Sequence, residues 1–226
     1  MSLAVEPLPL LDGWAAFDSW HDAMMQAEAK AAAERAARQR VDLTGLPMFA
    51  FRTILADPAW LYENWSEKGE AKSPQSQYDC LPLHVIKGME VANLAHPDGC
   101  VLLLWGTAPM VPEALEVVAA WGFTYSSMAA WAKRSRGGRK WAFGTGHRFR
   151  SAMEPIILAT MNEPPLRARN VRNLIEAPVR QHSRKPDAVY DMAEAIGAGP
   201  YLELFARQTR PGWTAWGNQA DKFKVL

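Results

Sequence analysis

The sequence predicts an α/β fold, a doubly wound and mainly parallel sheet preceded by an N-terminal helical extension. Three observations predict it. Short, largely apolar runs recur along the chain, among them TILA, CVLLLW and PIILA, the texture of strands covered on both faces. Amphipathic stretches alternate with them, VPEALEVVAAWG and KPDAVYDMAEAIG, each with proline near its start and glycine at its end. The 226 residues suit one domain of this class, long enough to bury a core.

Taken in order, residues 1–17 read as an irregular arm. The run from Ser19 to about Arg40 is rich in Ala, Glu and Arg and reads as a solvated helix. Residues 1–44 therefore form an arm and helix, and residues 45–226 the folded domain. A buried strand over Thr53 to Ala56 ends in a polar turn, and residues 61–77 are turn-rich. A helix is expected from about Pro82 to Ala95, HPDG is a turn, and GCVLLLWGT is the second strand. The helix VPEALEVVAAWG, the strands FTYSSMAAWAK and EPIILAT, the helix KPDAVYDMAEAIG and the strand YLELFAR complete the series. In such sheets ligands bind beyond the carboxyl ends of the strands. The positions to watch are Asp57 to Trp60, Trp105 to Thr107, Lys133 onward and Arg207 onward.

Composition narrows the function classes. With 49% apolar and 22% charged residues the chain is ordinary for a soluble globular protein. A net charge of +1 means that any nucleic-acid contact comes from a local patch. Cys80 and Cys100 are the only cysteines and the 5 histidines are scattered, so neither a disulfide framework nor a metal site is expected. No signal peptide and no apolar run of about 18 residues is present, and a cytoplasmic location is expected. Ten tryptophans fill a core or stack on bases.

Asp57-Pro58-Ala59-Trp60 follows the first strand directly. Alone it is a weak signal, because a turn after a strand with Trp60 packed inward has the same sequence. The context is more specific. Residues 52–220 resemble the MT-A70 family of adenine N6-methyltransferases in ILADPAW, SPQSQYDCL, LLLWGT, KRSRGGRKWAFGTGHRFR, VRQHSRKPDAVYDM and YLELFARQTRPGWTAWGNQ, in the family's order. The resemblance implies a Rossmann-like, circularly permuted methyltransferase over residues 45–226, using S-adenosylmethionine. The family usually has Asp-Pro-Pro-Trp, and Ala59 replaces the second proline here.

The chemistry asked of that turn is definite. The N6 amine of adenine is a poor nucleophile, since its lone pair is delocalised into the ring. Two acceptors aimed at its N–H bonds pyramidalise it and turn the lone pair toward a sulfonium methyl. The Asp57 carboxylate and the Pro58 carbonyl on a stiff turn would supply them, and Trp60 would stack on a base lifted from its helix. By resemblance, Tyr78 is a second aromatic touching the base. Lys185 reaches the cofactor carboxylate, as a cation ahead of a helix N-terminus suits, although a solvated lysine there is the plainer alternative. Glu203, Arg207, Asn218 and Gln219 line the cofactor pocket with Asp57, while Asp42 and Leu43 match the adenine-clasping pair at altered spacing. Arg180 and His182 match family positions without an assignable role.

From Lys133 to Arg150 the chain is basic and free of acids, with Lys133, Arg134, Arg136, Arg139 and Lys140 at its start and Trp141 and Phe143 interleaved. Such runs are usually solvated loops. Here the run begins where a strand ends, on the rim of the expected site, and it is read as contacting the phosphates of nucleic acid. DNA is preferred over RNA as substrate because a small chain without a zinc finger or RNA module is similar to bacterial or phage modification enzymes. An inactive nucleic-acid-binding partner subunit is the alternative of another class, and a homodimer stays open. A dehydrogenase is discarded, for no Gly-x-Gly-x-x-Gly follows the first strand.

Overall fold

In a computed structural model of the chain, the described residues are 24, 41–60, 80–144, 146, 148–181 and 184–223. Val41 to Leu226 form one compact unit and Met1 to Arg40 another. The helix expected over residues 19–40 lies outside the described residues, Met24 excepted.

Among the described residues of the larger unit, the elements in chain order are β1 (Thr53–Ala56), α1 (Leu83–Lys87), β2 (Cys100–Trp105), α2 (Val111–Ala120), β3 (Thr124–Arg134), β4 (Met153–Met161), β5 (Leu174–Pro178), α3 (Ala188–Ile196), β6 (Tyr201–Leu204) and β7 (Trp213–Trp216). The seven strands form one sheet in the order β5-β3-β4-β2-β1-β6-β7. β1 pairs in parallel with β2 and β6, β3 with β5, and β6 with β7. β4 alone is reversed, antiparallel to both β2 and β3. Consequently the ends of β1, β2, β3, β6 and β7 and the start of β4 share one edge of the sheet.

Alternation along the strands explains the layering. Ile54 and Ala56 of β1 with Leu102 and Leu104 of β2 face a core completed by Ile86 of α1 and by Val117, Val118 and Trp121 around α2. Leu55, Val101, Leu103 and Trp105 point the other way, onto Val189, Met192 and Ala193 of α3. Every residue of β1 and β2 is buried, as continuous apolar runs require. Each fully buried Leu or Ile adds about 1.5–3 kcal/mol over its exposed state. The sheet is thus covered by helices on both faces.

Three expectations change. The helix expected from Pro82 to Ala95 is five residues long and stops at Gly88, with a separate 3-10 turn over Val91–Leu94; glycine is a poor helix interior residue. EPIILAT is a strand, as expected, but it runs against its neighbours. β5 and β7 are strands that the sequence does not signal: LIEAP and WTAW are short, interrupted by polar or proline positions, and become strands by pairing at the two edges.

Candidate active site

The turn after β1 is fixed from both sides. The Asp57 N–H donates to the Leu204 carbonyl at the end of β6 (3.4 Å), and the Ala59 carbonyl accepts the Leu81 N–H (2.9 Å). Pro58 restricts φ, and its carbonyl accepts the Trp60 N–H at 2.9 Å, leaving a second lone pair for another donor. Trp60 is 5% exposed, and its indole N–H donates to the Trp105 carbonyl at 3.1 Å. Expected to stack on a base, this indole is instead an anchor that ties the turn to the end of β2.

A charged cluster occupies the shared strand edge. Lys185 Nζ lies 3.0 Å from Asp57 Oδ1 and 3.4 Å from Glu154 Oε2, and 5.2 Å from the centre of the Trp105 ring. Lys133 Nζ donates to Glu154 Oε1. The side chains of Asp57, Glu154, Lys185 and Lys133 are each 17–18% exposed. Burial pushes the Asp57 carboxyl above its usual range, with Lys185 pulling the other way. Burial acts on Glu154 in the same sense, but the Lys185 and Lys133 ammoniums outweigh it and hold that carboxyl low. Two lysines serve Glu154 and one serves Asp57, which accounts for the opposite directions.

Lys185 is itself braced. Arg180 donates to the Lys185 carbonyl and to both oxygens of Asp187, at 2.9 and 2.8 Å. That guanidinium holds the Asp187 carboxyl below the usual range, and the turn leads straight into α3.

Beside this cluster an open cleft is lined by Asp57, Lys185, Arg184, Tyr190, Glu203 and Arg207, among others. Glu203 Oε2 accepts from the Tyr190 hydroxyl at 2.7 Å, and Gln208, 6% exposed, donates to the same hydroxyl at 3.2 Å. Burial, opposed by the Tyr190 hydrogen bond and assisted by the nearby Asp57 and Asp187 carboxylates, pushes Glu203 up to about 7. Arg207 Nε donates to Gln219 Oε1 at 3.2 Å. Both Arg184 and Arg207 lie against the Phe223 ring, their guanidinium carbons 5.1 and 5.0 Å from its centre. The backbone passes closely here: a Cβ on Gly217 would stand 2.8 Å from the Ala206 N and O atoms, so glycine is required where β7 hands over to Asn218 and Gln219. One concave site thus offers cations and buried carboxylates next to a stiff turn bearing an acid and a carbonyl, the donor set for a ligand that is both charged and hydroxylated.

The MT-A70 family profile matches residues 51–219. The chain belongs to the MT-A70 family. Relatives include the type II methyltransferase M.MunI of Mycoplasma sp, 29% identical over an alignment of 199 residues that covers 80% of this chain and 82% of that protein. N(6)-adenine-specific methyltransferase METTL4 of Homo sapiens is 30% identical over 197 residues, 77% of this chain but 38% of its own length. N(6)-adenosine-methyltransferase subunit METTL3 of Danio rerio is 28% identical over 184 residues, 78% of this chain and 29% of that protein.

Of the residues that the MT-A70 resemblance singled out, the structure brings Asp57, Lys185, Glu203 and Arg207 into one cleft, with Gln219 bonded to its rim. Asn218 is exposed. Leu43 packs in the core, and exposed Asp42 accepts from the Thr44 N–H and hydroxyl at 2.8 and 2.7 Å. Tyr78 and His182 lie outside the described residues. Lys133 and Arg134 were expected to meet phosphates; instead Lys133 is engaged by Glu154, and Arg134 pairs with Glu176 at 2.9 Å and covers the Trp141 ring at 3.5 Å. Arg136, Arg139 and Lys140 are exposed. The sequence reading passed over Glu154, Arg184, Tyr190, Gln208 and Phe223. Glu154 carried a signal, a lone acid at the mouth of an apolar strand, while the others sit in amphipathic or tail segments without one. Among the described residues, no helix is long and apolar enough to cross a membrane, and no group of three His, Cys, Asp or Glu is placed to hold a metal.

Proposed function

We propose that the chain is a site-specific DNA adenine N6-methyltransferase with S-adenosylmethionine as its methyl donor. The observation that carries the reading is the convergence of Asp57, on a turn bonded to β6 and anchored to β2 by Trp60, with Lys185 and Glu203 in one cleft. S-Adenosylmethionine supplies an electrophilic methyl on a sulfonium, together with a carboxylate and a ribose diol. The residues present fit such a group: Lys185 and Arg184 offer cations to the carboxylate, and Glu203 offers a carboxylate oxygen to the diol.

In this reading the Asp57 carboxylate and the free lone pair of the Pro58 carbonyl accept the two N–H bonds of the target amine. Lys185 ion-pairs with Asp57 at 3.0 Å, so Asp57 competes for that ammonium with any arriving carboxylate; Glu154, 3.4 Å away, keeps Lys185 near the cleft when Asp57 turns to substrate. After transfer the alkylated nitrogen is acidic, and Asp57 or water takes its proton.

DNA rather than RNA is favoured by the likeness to M.MunI, which extends over 82% of that protein. The test incubates purified protein with labelled S-adenosylmethionine and mixed-sequence DNA or RNA, followed by digestion and separation of N6-methyladenine. Label in DNA that is absent with Asp57→Ala supports the reading. Label in RNA alone keeps the chemistry and overturns the substrate. Cofactor binding without label in either points to a missing partner or an unusual substrate, and no cofactor binding points to the inactive-partner reading.

A further inference from the structure

Methyl transfer leaves unexplained the most exposed apolar side chains among the described residues. Phe143 is 80% and Phe149 89% exposed, and Trp141 of the same loop 55%. Exposing rings of this size to water is costly, and both phenylalanines stay open to solvent among the described residues. The loop that carries them has a well-bonded root. Lys133 N–H donates to Ala152 (2.8 Å), Ala142 N–H to Lys133 (2.8 Å) and Ser135 N–H to Lys140 (2.7 Å). Gly144 N–H then closes a neck onto the Ser151 carbonyl at 2.9 Å. Phe143 stands at that neck, and Phe149 on the arc it closes. The Arg150 guanidinium lies 5.4 Å from the Phe143 ring centre. Arg136, Arg139, Lys140 and Arg148 are exposed around them, and no acid occurs between Lys133 and Met153.

Resting on the adenine-methyltransferase reading, we infer that Phe143 and Phe149 form an apolar wedge that opens the base stack of double-stranded DNA beside the target adenine. In a duplex the N6 amine is paired and stacked, so it reaches an acceptor pair on a protein only after leaving the helix. The gap must be held open, and apolar side chains inserted between base steps do so while neighbouring cations bind phosphate. Charge and position favour this partner over a lipid surface or a protein. The root of the loop is joined to the catalytic turn by a continuous chain of ion pairs, from Lys133 to Glu154 to Lys185 to Asp57. Trp141 differs from the two phenylalanines, for Arg134 covers its face, and it belongs to the root.

The experiment compares initial methylation rates on native and heat-denatured samples of one unmethylated genomic DNA, so that sequence content is identical and the recognition site need not be known. The quantity read is the ratio of kcat/KM on duplex to that on single strands. In the Phe143→Ala/Phe149→Ala variant this ratio falls about tenfold or more, given the energy of base–aromatic stacking, and in Phe143→Trp/Phe149→Trp it recovers. Cofactor affinity, measured in parallel, reports that both variants are folded. Equal losses on both substrates, or an unchanged ratio, overturn the wedge; so does an unchanged ratio accompanied by weakened binding to phosphatidylserine–phosphatidylcholine vesicles, which assigns the rings to lipid. Native protein that labels only denatured DNA overturns the wedge but not the methyl-transfer reading. Label in neither DNA nor RNA removes that reading, and the wedge with it.

Discussion

Asp57 and Lys185 face each other across 3.0 Å, and this ion pair sets opposite expectations for the two. Asp57→Ala deletes both an acceptor for the amine and a competitor for the Lys185 ammonium. Turnover should fall by about a hundredfold or more, while the dissociation constant of S-adenosylmethionine, read by calorimetry, should stay the same or decrease; a large increase would make Asp57 a cofactor ligand instead. Lys185→Ala removes a charged hydrogen-bond donor, and that constant should rise about tenfold or more. Glu203 supplies a pH test. Its carboxyl titrates near 7 when folded, against 4.5 ordinarily, so the folded state holds a proton that the unfolded chain releases. Stability should therefore decline as pH rises from about 4.5 to 7. Glu203→Gln should flatten that decline in urea titrations at several pH values, and an equal slope in both proteins would assign the pH dependence elsewhere.

Packing between elements decides whether the site exists at all. β7 and the chain after it lie against the end of β6, and the approach of Gly217 to Ala206 leaves no room for a side chain. Gly217→Ala must push back backbone rather than a flexible side chain, at a cost of about 1–3 kcal/mol. Because Gln219 follows at once and bonds to Arg207, the shift should weaken cofactor binding as well as lower Tm. A lowered Tm with full cofactor affinity would mean that the WGNQ segment is only structural. β4 shows a different dependence. Its apolar run guarantees burial but carries no direction, and its reversal is what carries Glu154 to the same edge as Asp57.

For the molecule as a whole, the balance of +1 hides an uneven distribution. The stretch from Lys133 to Arg150 is basic throughout, yet its first two cations, at the end of β3, are spoken for by Glu154 and Glu176. Phosphate binding is left to the exposed residues beyond them. The double substitution Arg136→Ala/Arg139→Ala should weaken DNA binding at low salt and lower the slope of log affinity against log salt by about one for each phosphate no longer neutralised. An unchanged slope would remove this loop from the DNA interface.

Legible along the chain alone are the class of fold, the buried strands β1 and β2, the helices α2 and α3, the family, and the candidate pair Asp57 and Lys185. These are properties of local pattern: apolar runs, helical period, proline and glycine punctuation, and motif order. Folding in three dimensions adds that Lys185 rests on Asp57, that Trp60 is an anchor, that Lys133 is engaged by Glu154, and that Tyr190 and Gln208 hold Glu203 in place. The physical reason is that ion pairs, burial and shifted acidity depend on distances between residues far apart in the chain, set by strand order and direction, and neither is encoded in any single segment.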